Sequence, residues 1–321
     1  MSYKPIIIVS GDPKSIFLEI FFKSIKEKKF RSPIVLICSK NLLKKNMRKF
    51  NFKKKIKLLK SNQIQKSNLN NSSINLIDIK LNKNININQY IEKSFFMAFK
   101  IINDGITNKF INGPISKKKF LKKKYLGITE YICDHFSIKK NAMLIYNKNL
   151  SVCPITTHVP IKQVTKKISK DVIKEKVQLI EKFYINHFKH KPKIAILGLN
   201  PHCETIEKFN EDQRIIKPAV QNLKKRNYNI DGPYSADTAF LKQNRSKYDV
   251  IIGSYHDQVL TPLKTLFEYD AINITLGLPF IRISPDHGPN EKMVGKNISS
   301  PLSLIKAISF LDKNWLRQKK V

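Results

Sequence analysis

Short apolar runs alternate along this chain with longer stretches in which apolar residues recur every three or four positions. The first pattern suits strands buried on both faces and the second amphipathic helices, so the alternation predicts an α/β fold with a largely parallel sheet. Pro5 to Val9 reads as the opening strand, and Ser10-Gly11-Asp12-Pro13 as the turn into a helix. Ile87, Ile91, Phe95, Ala98 and Ile102 share one helical face, which predicts a helix over Ile87 to Asn103. Ile215, Ile216, Ala219, Val220 and Leu223 mark another. Between Phe52 and Asn75 Lys and Asn dominate, and this low complexity predicts a peripheral, weakly specified segment. No internal repeat is present.

In the second half, three apolar runs end in histidine: SVCPITTH at His158, KIAILGLNPH at His202 and YDVIIGSYHD at His256. Parallel strands all end along one edge of a sheet, and ligands bind beyond that edge. Three histidines at three such ends therefore converge. Neutral imidazole is the commonest metal ligand, and three protein ligands with open positions is the pattern of a catalytic metal site. Asp257, beside His256, and Asp237 are candidates to orient those rings or add an oxygen. His135, His187 and His190 sit among charged residues and read as surface. No HExxH motif occurs.

Composition changes this picture little. The 321 residues suffice for one large or two medium domains. The net charge of +36 would ordinarily point to a polyanionic partner. Yet only 7 of the 60 basic residues are Arg, and Lys, Asn and Ile all have A/T-rich codons, so base composition accounts for the excess without nucleic acid. The run from Lys117 to Lys124 reads as solvated surface. Cys38, Cys133, Cys153 and Cys203 show no paired spacing, which suggests a reducing, cytoplasmic setting. No apolar run is long enough for a signal peptide or a membrane span.

Two further segments carry candidate chemistry. Arg282, in NITLGLPFIRISPDHG, is one of the few residues able to grip a carboxylate or phosphate with two parallel bonds. With Lys264 upstream it favours a small anionic substrate. Asn112-Gly113-Pro114-Ile115-Ser116-Lys117 sets a lysine after a sharp turn, a weaker hint of a phosphate contact.

The strings GLNPH (198 to 202), GPYSADT (232 to 238), YHDQ (255 to 258), NITLGLPFIR (273 to 282) and PDHG (285 to 288), in this order, resemble the 4-hydroxythreonine-4-phosphate dehydrogenase (PdxA) family of vitamin B6 biosynthesis. The resemblance implies a metal held by His158, His202 and His256, the residues already selected from strand ends, with catalysis resting on these and Lys264. It implies substrate contacts from Thr129, Lys264, Asn273 and Arg282. A family histidine that should precede Thr129 is replaced by Ile128, and the family's Gly-rich loops are altered in GDPKSIFLE and CETIEKF. The implied cofactors are NAD or NADP and a divalent ion, Zn, Mg or Co. The implied reaction oxidises 4-phosphooxy-L-threonine to a 2-amino-3-keto acid that loses carbon dioxide, giving 3-amino-2-oxopropyl phosphate. The implied fold is two-domain, three-layer and isocitrate/isopropylmalate dehydrogenase-like, which uses NAD without a GxGxxG loop. Residues 1–130 with 290–321 would form the first lobe and 131–289 the second, with a cleft between them. A homodimer with a shared active site is also implied, and His158 from one subunit could join His202 and His256 of the other. Two rival readings stand: a dehydrogenase for a related phosphorylated four-carbon hydroxy acid, and a non-catalytic basic nucleic-acid-binding protein on the same scaffold.

Overall fold

The computed structural model describes residues 3–65, 67–81, 86–116, 120, 125, 127–203, 210–285 and 288–313. Its strands are β1 (Ile6–Val9), β2 (Ile34–Cys38), β3 (Ile56–Leu58), β4 (Ile74–Asp78), β5 (Lys109–Asn112), β6 (Ala142–Tyr146), β7 (Ser151–Thr156), β8 (Ile194–Leu197), β9 (Ile230–Tyr234), β10 (Val250–Tyr255), β11 (Ile272–Leu276) and β12 (Ile281–Pro285). The main helices are α1 (Phe17–Glu27), α2 (Lys40–Lys49), α3 (Ile87–Asn103), α4 (Ile128–His135), α5 (Lys170–Phe188), α6 (Lys217–Lys225), α7 (His256–Phe267) and α8 (Leu302–Asp312). The fold is α/β and mostly parallel, as the alternating pattern predicts. The chain divides into two compact units, Met1–Tyr131 with Pro279–Val321, and Ile132–Leu278.

In the first unit the strand order is β3-β4-β2-β1-β5-β12. The pairings are parallel, with Ile8 opposite Leu36 on one side and Ile111 on the other. Every residue of β1 and β2 is buried, the signature of strands covered on both faces. Helix α3 packs on β1 and β2, and α8 on β12, β1 and β5. Asn86 caps α3 by accepting from the Asn88 amide, and Ile91, Phe95 and Ala98 bury its predicted face. Phe95 and Phe99 continue that face into an aromatic cluster with Phe110 and Tyr131.

The Lys/Asn-rich segment is better specified than its composition suggests. It contributes β3, which pairs in parallel with β4, and it buries Leu59 and Ile64. Asn71 fixes the approach to β4: its Oδ1 accepts from the Ile34 amide at 2.9 Å, and its Nδ2 donates to the carbonyls of Phe30 and Ser32. Asparagines that dilute the apolar pattern thus supply the turn bonds.

In the second unit the order is β11-β6-β7-β10-β8-β9. The pairs β11·β6 and β6·β7 are antiparallel, while β7, β10, β8 and β9 run parallel. Ile252 lies opposite Cys153 and Ile196, so the carboxyl ends of β7, β10 and β8 come out side by side. Helix α5, capped at Ser169, packs on β6, β7 and β11. The helical face predicted around Ile216 to Leu223 is buried, partly in a π-helical turn over Asp212–Ile216 and partly in α6. All four cysteines are buried thiols. Among the described residues no helix is long and apolar enough to cross a membrane.

Candidate active site

The three predicted histidines follow the ends of three neighbouring parallel strands. His158 lies two residues beyond β7, His202 follows the turn after β8, and His256 opens α7 directly after β10. The rings of His158 and His256 come together, with centroids 6.0 Å apart. His256 Nδ1 meets Asp257 Oδ1 at 2.6 Å. A carboxylate accepting from Nδ1 fixes the tautomer and leaves the Nε2 lone pair for a ligand. His202 is highly exposed and turns to a different pair: its Nδ1 is 3.4 Å from Ser235 Oγ and 3.9 Å from Asp237 Oδ2. Ser235 donates to Asp237 Oδ1 at 2.6 Å. That bond, helped by His202, lowers the Asp237 pKa and keeps its carboxylate charged.

The strand ends that carry these rings are tied together by side chains that sequence reasoning did not select. Gln258 is the centre of this network. Its Oε1 accepts from the Ser254 amide at 2.6 Å, and its Nε2 donates to the Gly198 carbonyl at 2.8 Å, so the β10 end and the β8 turn are held by one amide. Thr156 Oγ1 donates to the Ser254 carbonyl at 2.8 Å and joins β7 to the same point. Gly253 makes room: a Cβ there would lie 2.9 Å from Gln258 Oε1. Asp212, fully buried, accepts from the Leu199 amide at 2.7 Å and from the Asn200 amide and side chain at 3.0 Å each. This grip stands just before His202 and Cys203, whose left-handed backbone (φ 54 and 62) is uncommon for residues other than glycine. The only hint of this in the sequence is position, since Gln258 lies two residues after His256 and Asp212 ten residues after His202.

A divalent ion is the group implied here, and the donor set offers a partial fit. His158 and His256 are adjacent imidazoles on fixed strand ends, the arrangement one ion requires of two ligands. Among the described residues, no group of three or more His, Cys, Asp or Glu side chains stands close enough to hold a metal. His202 is therefore not gathered with the other two inside this chain.

The predicted substrate residues occupy distinct settings. Arg282, on β12, is fully buried and donates through Nε to Asn112 Oδ1 at 2.7 Å and through Nη1 to Thr129 Oγ1 at 3.2 Å. Two residues assigned to one role, Thr129 and Arg282, thus meet. Ile128, half-buried, precedes Thr129 at the start of α4. Asn273 sits on β11 opposite Ile145, and its buried Oδ1 has no hydrogen-bond partner among the described residues. Lys264 is exposed in the last turn of α7, eight residues and about 12 Å along the helix from His256. Asn112-Gly113-Pro114 packs on the first turn, with the Asp12 amide donating to the Pro114 carbonyl. Lys117, most of the lysine run to Lys124, Glu204 to Phe209, Asp286 and His287 fall outside the described residues.

Of the remaining histidines, His135 and His190 are exposed as predicted, the latter 3.6 Å from Asp249. His187 is not a plain surface residue. It stacks on Phe183 with centroids 4.4 Å apart and meets the Phe183 carbonyl through Nδ1 at 2.9 Å, because the α5 face it shares is partly covered. Burial lowers its pKa.

A mostly parallel α/β sheet with its polar side chains collected beyond the strand ends defines the class of an α/β enzyme. Residues 29–311 match the family described as pyridoxal phosphate biosynthetic protein PdxA, and the chain belongs to that family. It is 40% identical over 311 residues to the 4-hydroxythreonine-4-phosphate dehydrogenase of Sulfurihydrogenibium sp., covering 94% of this chain and 95% of the relative. It is 34% identical over 316 residues to the enzyme of the same name from Aquifex aeolicus, covering 96% and 98%. The crystal structure of 4-hydroxythreonine-4-phosphate dehydrogenase from Klebsiella pneumoniae is similar at 26% identity, with a TM-score of 0.82 and coverage of 96% and 98%.

Proposed function

We infer that the chain is an oxidoreductase of vitamin B6 biosynthesis, a 4-hydroxythreonine-4-phosphate dehydrogenase acting on a small phosphorylated hydroxy-amino acid. The observation that carries this is the 40% identity that spans nearly the whole of both chains. The strand-end histidines with their shared backbone supports agree with it.

In this reading NAD or NADP would supply the hydride acceptor for oxidation at the substrate C3 hydroxyl, and the resulting keto acid would lose carbon dioxide. His158, His202 and His256 would hold a divalent ion, whose contribution would be Lewis acidity at the substrate hydroxyl. His158 and His256 come from one subunit and His202 from the partner of a homodimer. That division, favoured by the ring pair of His158 and His256, differs from the one that grouped His256 with His202. Asp257, hydrogen-bonded to His256 Nδ1, sets that ring's tautomer, while Asp237, held by Ser235, places a carboxylate 3.9 Å from His202 Nδ1. Arg282 stands ready without rotamer loss, because Asn112 and Thr129 already hold its fork, and it anchors an anionic end of the substrate. Lys264 supplies a second positive charge, and Asn273 a hydrogen-bonding amide.

The test is turnover of 4-phosphooxy-L-threonine with NAD, followed as NADH, after chelator treatment and re-addition of Zn, Mg or Co. Activity that vanishes with the chelator and returns with an ion is expected. Full turnover in metal-free protein contradicts the metal role, and no turnover on any addition contradicts the substrate.

A further inference from the structure

The distribution of charge in the first unit carries an inference independent of the dehydrogenase reading. From Lys28 to Ile77 there is no Asp or Glu, although the chain has 24, and 14 of these residues are Lys or Arg. An even spread would put roughly four acids in a stretch of that length. Codon composition raises lysine everywhere, but it does not clear carboxylates from one stretch. The stretch folds into β2, α2, β3 and most of β4, so the cations end on one part of one unit.

There they border two grooves. The larger, of about 660 Å³, is lined by Lys40, Lys44, Arg48, Lys53 and Lys54. Met47, Phe52, Ile56 and Leu58 supply apolar lining between them, and Leu58 is 50% exposed. The smaller, of about 390 Å³, adds Lys26, Lys28 and Lys29 and is also lined by Lys54, which joins the two. No carboxylate is among the described residues that line either groove. Lys40, Lys44 and Arg48 recur every fourth residue of α2, so three like charges stack along one helix face beyond the Asp78 carboxylate that accepts from the Lys40 amide, a mild repulsion that a bound anion would relieve. Burial lowers the pKa of Lys54, a cost that a bound phosphate would offset.

We propose that these joined grooves bind single-stranded nucleic acid, with the phosphate backbone along Lys40, Lys44, Arg48 and Lys54 and bases against Met47, Phe52, Ile56 and Leu58. A free phosphate would engage one or two of these cations and leave the rest facing each other. A bare polyphosphate would leave the apolar lining idle. A single strand uses both, because its charge repeats along its length and every base has an apolar face.

The test measures fluorescence anisotropy of a labelled 20-nucleotide oligo-dT with the full chain over a range of salt. Saturable binding is expected, weakened at least about tenfold by Lys44→Glu, Arg48→Glu and Lys54→Glu together, with the log–log salt slope reduced by about 2 for three lost contacts. Reversing Lys182, Lys191 and Lys193 in the other unit removes the same charge and should weaken binding less than about threefold. An abasic strand of equal length should bind at least about fivefold less tightly. Each variant's melting curve is recorded; Lys44→Glu and Arg48→Glu made singly serve if the triple variant fails to fold. Absent binding overturns the proposal. Equal effects of the two triple variants overturn it by showing diffuse charge attraction, and equal affinity for the abasic strand overturns it by showing a site for any polyanion.

Discussion

The two polar centres of this chain are built in opposite ways. Arg282, Asn112 and Thr129 form a dry cluster in which every named side chain is buried and the guanidinium is held before any ligand arrives. His158, His202 and His256 stand on strand ends whose backbone is fixed by Gln258, Thr156 and Asp212, but His202 is largely exposed and points to Ser235 and Asp237 rather than to the other two. The difference teaches what each centre lacks. A buried cation with hydrogen bonds in place needs no rearrangement to meet an anion, whereas three histidines that one chain does not gather would need a further component to act as one ligand set.

Breaking the open centre should have the largest effect. His256→Ala removes one of two adjacent imidazoles, and kcat should fall about a thousandfold or more, with Co or Zn affinity falling in parallel by titration. Activity within tenfold of the parent would show that His256 is not a ligand. The dry centre should respond less, and in two measurements at once. Arg282→Lys keeps the charge but not the fork, so kcat/KM should fall about a hundredfold, or ~2.7 kcal/mol. The melting temperature should drop as well, because Asn112 loses a charged donor worth ~1.5–3 kcal/mol. A drop in stability with unchanged kcat/KM would make Arg282 purely structural.

The supports beneath the histidines sharpen the comparison at smaller scale. Gln258→Leu deletes two hydrogen bonds at ~1 kcal/mol each. It should weaken metal binding about 10- to 100-fold, since the β8 turn and the β10 end are no longer held together. Lost stability with unaltered metal affinity would reduce Gln258 to packing.

How much of this was legible depends on where each interaction closes. Strands and helices were readable because Ile6 to Val9, or Ile91 with Phe95 and Ala98, carry their period locally. The strand-end histidines were readable because each follows an apolar run. Gln258 and Asp212 were not, since their bonds reach Gly198 and Leu199 across 60 and 13 residues. Nor was the environment of Arg282, whose Asn112 partner is 170 residues away. In β3 the exposed lysine of Ile56-Lys57-Leu58 and the asparagines around it hid a strand that forms only because β4 offers it an edge.

A further predicted effect belongs to neither centre. Burial raises the Cys153 thiol from 9.0 to about 12, so the folded state favours the protonated form. The sign follows: stability is intact below pH 9 and declines as pH rises toward 12, where the unfolded thiol ionises and the folded one resists. Melting temperature should be flat from pH 7 to about 9 and fall above it, less steeply in Cys153→Ala. An identical alkaline slope in that variant would assign the fall to other groups.

The most direct test of the account mixes inactive variants. If His158 and His256 serve one site together with His202 of the partner subunit, co-refolding His202→Ala with His256→Ala gives mixed dimers in which one site has all three ligands and the other lacks two. Random pairing makes about half the dimers mixed, so activity should return to roughly a quarter of the parent. His158→Ala mixed with His256→Ala should stay inactive, because both losses fall on the same side of every site. No recovery in the first mixture, with mixed dimers demonstrated by differential tags, would contradict a site shared in this way, and so would recovery in the second.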